Sequence, residues 1–277
     1  LIDESVNAES AFLKLRDDLK KINTVSSNKI LNQINSISLL NDAEKIIKSC
    51  NDDNIKLVSY KDIGYPKNLF HCIDAPIVLY CKGKKEPNKY NLISIVGTRN
   101  CSDYGLDQCK ELINFLKPYN IAIVSGLAYG IDVFAHNRAN SLGIANYEVL
   151  GIGINNIYPK AHLKESEIIS NNGMLIAKFL PNTGPRSYNF PKRNRIIAGM
   201  SKCTIVVESP KKGGAMITAR LANDYNREVF AIPGNNNQTR SFGANWLIEN
   251  HQATILNSPE QIIKLLGLTK KKILSKL

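Results

Sequence analysis

From Leu92 onward, short apolar runs alternate with amphipathic stretches of helix length, and this alternation restricts the fold more than any other feature of the chain. The runs are Ile93–Val96, Ile121–Val124, Tyr147–Ile152, Met174–Ala177, Thr204–Val207, Val229–Ile232 and Thr254–Leu256. Between most of them lie Tyr104–Leu116, Ile131–Leu142, His162–Ser170, Asn194–Met200 and Met216–Asn226, each patterned as a helix with one apolar face. Strands that alternate with helices imply an α/β protein with a parallel sheet covered on both faces. Ligands of such sheets bind beyond the carboxyl ends of the strands. The turns at those ends are therefore where function is to be sought.

Ahead of this region, residues 5–50 space apolar residues as a small bundle of helices does, for example Phe12, Leu15 and Leu19. The segment from Lys56 to Gly83 reads as mostly extended, with Tyr65-Pro66 and Ala75-Pro76 as turn or edge signals. After Pro259 one short helix and a lysine-rich tail are expected. The chain thus divides into a small helical N-terminal domain (1–55), a main domain (56–257) and a short C-terminal helix with a basic tail (258–277).

The charge is unevenly placed. Residues 1–60 carry 8 Lys and Arg against 9 Asp and Glu, whereas residues 61–277 carry 28 against 15. The net charge of +12 thus belongs to the second part of the chain. Such a surplus favours a polyanion, usually nucleic acid, through phosphate neutralisation and counterion release. No run of about 18 apolar residues and no leader pattern is evident, which argues against a membrane span. The six scattered cysteines form no CxxC pair and the four histidines are dispersed, so the expectation is a cytoplasmic protein with reduced thiols, no metal and no cofactor.

Several strand-end turns suit an anion. The first strand runs into Gly97-Thr98-Arg99, which offers a glycine for close backbone approach, a hydroxyl and a cation. The second ends in Ser125-Gly126-Leu127-Ala128-Tyr129-Gly130, small residues leading into a helix. Another turn, Ser209-Pro210-Lys211-Lys212-Gly213-Gly214, enters the helix that carries Thr218. The most charged segment is Phe190-Pro191-Lys192-Arg193-Asn194-Arg195, read as a proline-closed loop entering a helix at Asn194. A helix start has unpaired N–H groups and a positive dipole end, and Lys192, Arg193 and Arg195 add charge-assisted donors there. No GxxxxGK[ST] is found, the glycines at 151 and 153 lack the third of a dinucleotide fingerprint, and Ser125 lacks the flanking glycine of a nucleophile elbow. Asp132 and His136 suit a structural pair, and Glu208 is a lone strand-end carboxylate, so no catalytic set emerges.

In order along the chain, Val96-Gly97-Thr98-Arg99, Ser125 to Asp132 with Ala135-His136, Ile157-Tyr158-Pro159, Phe190 to Gly199, Gly213-Gly214 and Pro233-Gly234 resemble the bacterial DNA-processing protein family DprA (Smf). The resemblance spans roughly residues 56–257. It implies an extended Rossmann-like domain that binds single-stranded DNA, forms homodimers and helps load the recombinase RecA in natural transformation and recombination, without turnover or cofactor. Carried onto this chain, it implies a phosphate groove lined by Arg99, Ser125, Gly126, Lys192, Arg193 and the turn from Gly213-Gly214 to Thr218, with Gly97, Thr98, Asn194 and Arg195 as further candidates. For Tyr129, Tyr188 and Phe190 base stacking is one reading, and packing in the core or a loop is the commoner role of single aromatics.

Three departures from the family pattern stand out. Ala177-Lys178 occupies a position usually held by Ser-Glu, Asn155 replaces a common aspartate, and no winged helix is expected after Pro259. A reading from another class is a Rossmann-like nucleoside-monophosphate phosphoribohydrolase, which also seats phosphate on a glycine turn. Against it, no glutamate follows Gly213-Gly214 on the next helical turn.

Overall fold

A computed structural model describes Lys21 and residues 37–270. Packing divides the chain into two units, Leu1–Asn54 and Ile55–Leu277. In the first unit the described element is helix α1, Ile37–Asp52. The expected helices before it lie outside the described residues, as does the tail from residue 271.

The second unit is a nine-stranded α/β sheet. Its strands are β1 (Lys56–Ser59), β2 (Val78–Gly83), β3 (Asn91–Val96), β4 (Ile121–Ser125), β5 (Ala145–Gly153), β6 (Gly173–Phe179), β7 (Cys203–Val206), β8 (Glu228–Ala231) and β9 (Thr254–Ile255). Their spatial order is β1-β2-β6-β5-β4-β3-β7-β8-β9. The seven strands from β6 to β9 in that order are parallel, and the β1–β2 pair joins antiparallel at the β6 edge. The helices are α2 (Lys67–Phe70), α3 (Asp103–Leu116), α4 (Ile131–Ser141), α5 (Leu163–Asn172), α6 (Asn189–Met200), α7 (Gly214–Asp224), α8 (Phe242–Glu249) and α9 (Glu260–Leu266).

Side-chain alternation explains the two covered faces. Ile93, Ile95, Ile121, Ile123, Ile205 and Phe230 enter one core with residues of α3, α4 and α9. Their neighbours Leu92, Val96, Ala122, Val124, Val206 and Val229 enter a second core with residues of α6, α7 and α8. A strand points successive side chains to opposite faces, so runs apolar at every position are what a sheet buried on both sides requires. The central polar pair Ser94 and Thr204 is satisfied internally, with hydroxyl oxygens 2.7 Å apart.

The order reverses at β3: the chain leaves β3 toward β4 on one side, and leaves β7, its other neighbour, toward β8. The two departing turns part there and leave a crevice beyond the strand ends. One sequence expectation is corrected close to this crevice. Helix α6 begins at Asn189, five residues before the expected start at Asn194. Pro191 therefore lies within the first turn, where its missing N–H costs no helical hydrogen bond. Likewise α7 starts at Gly214 rather than Met216.

Candidate nucleic-acid interface

The crevice holds a pocket of about 380 Å³. Its walls are the β3 turn (Gly97, Thr98, Arg99), the β7 turn (Ser209, Pro210, Gly213, Gly214), Phe190, Arg193 and Asn194 of α6, and Ile217 and Thr218 of α7. Glycine places these walls. A Cβ on Gly97 would overlap Ile131 of α4, so the strand end and the helix meet only because none is there. Gly130 holds a positive φ of 76° against the Thr98 carbonyl, tying the second turn to the first.

The pocket ends on the N-terminus of α7, and its chemistry follows from that. Gly213 caps this helix with no side-chain hydrogen bond, and the first turn holds no acidic residue. The leading N–H groups lack intrahelical partners and, with the helix dipole, favour an anion. Around them, Thr218 donates to the Gly214 carbonyl (3.2 Å), as does the Asn194 amide (3.3 Å), which fixes the turn. Arg99 is exposed on the pocket rim, with no ion pair among the described residues. An exposed cation beside unpaired N–H donors is a combination chemically able to hold a phosphate.

The basic segment of α6 divides its cations among three tasks, because helical periodicity sends adjacent residues in different directions. Lys192 is exposed, its ammonium 5.3 Å from the Tyr188 ring centre. Arg193 is buried: its guanidinium donates to the carbonyls of Gly126 (2.7 Å) and Val149 (2.5 Å) and to the Asn194 side chain (3.0 Å). Burial works against its charge, and Asp132 and Glu148 support it. Arg195 faces away to pair with Asp74, part of a contact in which Tyr225 also donates to Asp74. Gly126 is needed for this arrangement, since a Cβ there would overlap the Arg193 guanidinium. Thus Gly97, Thr98, Arg99, Arg193, Asn194, Gly213, Gly214 and Thr218 come together at the pocket. Gly126 borders an adjoining cleft, and Lys192 and Arg195 are outside both linings. Ser125 is fully buried and donates to the Ile95 carbonyl (2.6 Å).

The carboxylates singled out in the sequence serve as braces. Asp132 is buried, where desolvation raises its pKa while Arg193 and the backbone N–H groups of Ala128, Gly126 and Gly97 support the charged form. It thereby stitches the two glycine turns together. His136 bonds Asn146 on β5 (2.6 Å) rather than Asp132, and burial lowers its pKa to about 4, so the ring is neutral. Glu208 accepts from the Ser102 hydroxyl (2.5 Å) and backbone N–H (2.9 Å), locking the start of α3 onto β7. Both of its oxygens are engaged in holding that turn.

Aromatic rings border the same rim. The adjoining cleft is lined by Arg99, Tyr129, Tyr158 and Phe190. The Tyr158 and Phe190 rings lie 5.6 Å apart, and Tyr129 and Tyr158 are about half exposed. Exposed rings of this kind are surfaces on which bases can stack. Tyr158 was missed as a stacking candidate because one tyrosine before a proline reads as turn chemistry; its place beside Phe190 is set by long-range packing.

The chain is similar to known proteins in both sequence and fold. Residues 56–267 match the family model described as DNA recombination-mediator protein A. Protein Smf of Escherichia coli (strain K12) is 36% identical over 201 residues, 72% of this chain and 54% of the relative, so the match spans about half of that protein's length. The X-ray structure of DNA processing protein A from Streptococcus pneumoniae superposes with a TM-score of 0.81 at 31% identity, covering 90% of this chain and 86% of the other. A DNA processing protein A structure from Helicobacter pylori, described as revealing a unique single-stranded DNA binding mode, gives 0.69 at 28% identity over 76% and 96% of the two chains.

Proposed function

This chain is a member of the DNA recombination-mediator protein A family, and from that premise we propose that it binds single-stranded DNA along the carboxyl edge of its parallel sheet. The observation that carries the reading is the acid-free, uncapped start of α7 facing Arg99 in a pocket at the point where strand order reverses. Internucleotide phosphate is held by those N–H groups and by Arg99, while Tyr129, Tyr158 and Phe190 take bases without reading sequence. Lys192 adds charge outside the pocket. Arg193, Ser125 and Asp132 shape the walls from within and do not touch the strand.

In the cell this chemistry suits a cytoplasmic mediator of homologous recombination, working as a homodimer that protects incoming single strands and hands them to RecA during natural transformation. The Helicobacter pylori relative supports the DNA part of this reading, and the family name supports the recombination part. Among the described residues no helix is long and apolar enough to cross a membrane. Turnover of nucleoside monophosphates is disfavoured because Glu208 is fully occupied by Ser102.

The test compares a labelled single-stranded oligonucleotide, the matching duplex and a nucleoside monophosphate, with released base followed in the last. Preferential binding of the single strand with no base release is expected. Base release that disappears in Glu208→Gln would overturn the reading.

A further inference from the structure

The aromatic cleft beside the main pocket is built by two turns, one after β4 and one after β5, and a single buried side chain joins them. His162 closes the short 3-10 turn Lys160–His162 that follows Tyr158-Pro159, and its N–H donates to the Pro159 carbonyl (3.0 Å). His162 is buried, and its Nδ1 lies 2.8 Å from the carbonyl oxygen of Leu127 in the other turn. A carbonyl can only accept, so the hydrogen is on Nδ1 and the imidazole donates. Leu127 holds a left-handed backbone with a φ of 53°, which L side chains rarely adopt, and its side chain is fully buried. Such a conformation persists where neighbours fix it, and the His162 bond is one of those fixings. Two residues further on, the Tyr129 ring meets the His162 ring edge to face, with centres 4.8 Å apart and planes at 70°. The Tyr129 hydroxyl has no hydrogen-bond partner among the described residues, so this contact steadies a ring that is otherwise half exposed.

We propose that His162 is a positioning residue for base stacking: its side chain holds the Leu127 turn and the Tyr129 ring, so that Tyr129 stays in the wall of the cleft it shares with Tyr158 and Phe190. The proposal rests on the single-strand reading given above. His162 does not itself line the cleft, so it acts through Tyr129 and not on the strand. A tyrosine released from such a contact spreads over three staggered χ1 wells, one of which is the stacking orientation. With the wells evenly filled, the competent fraction falls to about one third and affinity falls about threefold. Phosphate contacts are untouched by this, because Arg99 and the start of α7 are placed by the turns after β3 and β7. The effect therefore belongs to the bases alone.

The experiment compares a thymidine dodecanucleotide with one of the same backbone in which every base is replaced by a tetrahydrofuran abasic unit. Both are titrated against wild type, His162→Ala, His162→Asn, Tyr129→Ala and the His162→Ala/Tyr129→Ala double variant. Wild type should prefer the thymidine strand, His162→Ala should bind that strand about threefold more weakly, and the two proteins should bind the abasic strand equally. Asparagine places an amide donor near the position of Nδ1, so His162→Asn should recover most of the loss. In the Tyr129→Ala background, His162→Ala should change nothing further, since the ring it positions is gone. Undiminished thymidine binding by His162→Ala would overturn the assignment, and so would an equal loss on both strands, which a general structural role produces. Wild type that binds both strands alike would overturn base stacking and the positioning role together. Wild type that binds neither would overturn the single-strand reading and the positioning role with it.

Discussion

Replacing Gly214 with aspartate should make this protein more stable and a poorer binder at once. Gly214 is the first residue of α7, it is exposed, and a Cβ built on it meets nothing within 4 Å. Loss of a glycine at a compatible backbone position stabilises by about 0.4–1 kcal/mol, and a carboxylate at a helix start adds about 0.3–1 kcal/mol. A total near 1 kcal/mol raises the midpoint of thermal unfolding by about 2–4 °C for a domain of this size. The same carboxylate would face the phosphate proposed for this pocket. At an assumed separation of about 5 Å the repulsion is about 1–3 kcal/mol for an effective dielectric between about 80 and 20, or roughly a 5- to 150-fold loss of affinity. Gly214→Ala adds the bulk without the charge, and should gain stability while losing far less affinity. Calorimetry and fluorescence anisotropy with a labelled single strand read the two effects separately. An aspartate variant that is stabilised and still binds like wild type would refute the placement of phosphate at α7.

Other consequences concern the buried frame beneath the pocket. In Gly126→Ala the new Cβ displaces the Arg193 guanidinium from the Gly126 and Val149 carbonyls; leaving that charge unpaired should cost about 3–5 kcal/mol in denaturant unfolding, and a cost below 1 kcal/mol would count against Arg193 as the brace. Glu148, fully buried with only Ser166 donating to it, has its pKa pushed up to about 7 by burial. The folded state therefore holds a proton there that the unfolded state has released, and this contribution falls as pH rises from about 4.5 to 7, by up to about 3 kcal/mol. His136 works in the opposite sense: its pKa of about 4 makes stability rise with pH from about 4 to 6.5. The two slopes largely offset each other in wild type, so Glu148→Gln should unmask a rising stability between pH 4.5 and 6.5, and parallel profiles for the two proteins would contradict the assignment.

The sheet was legible because its strands are buried on both faces. Runs such as Ile93–Val96 and Ile121–Val124 admit few other structures once helices separate them. Turn chemistry located the pocket equally well: Gly97-Thr98-Arg99 and Gly213-Gly214 line it because strand ends and helix starts place them there. Direction of side chains was not legible. Lys192, Arg193 and Arg195 read as one basic cluster, yet a helix that starts at Asn189 points Arg193 into the core and Arg195 toward Asp74. Nothing local distinguishes a buried arginine from an exposed one; the partners that stabilise it, Gly126, Asp132, Val149 and Glu148, come from the turn after β4, from α4 and from β5. Ser125 misled for a related reason, since a hydroxyl at a strand end can turn inward to the neighbouring strand, as it does to Ile95.

The proposed interface requires that single-stranded DNA be held by the exposed cations at the carboxyl edge of the sheet. The most direct measurement is the salt dependence of binding of a labelled single strand to wild type and to Arg99→Ala/Lys192→Ala, two exposed positions whose loss leaves the Arg193 brace intact. A steep decline of affinity with salt is expected for wild type, with a slope shallower by about 1.4 and weaker binding in the double variant. Identical slopes and affinities in the two proteins would contradict the interface described here.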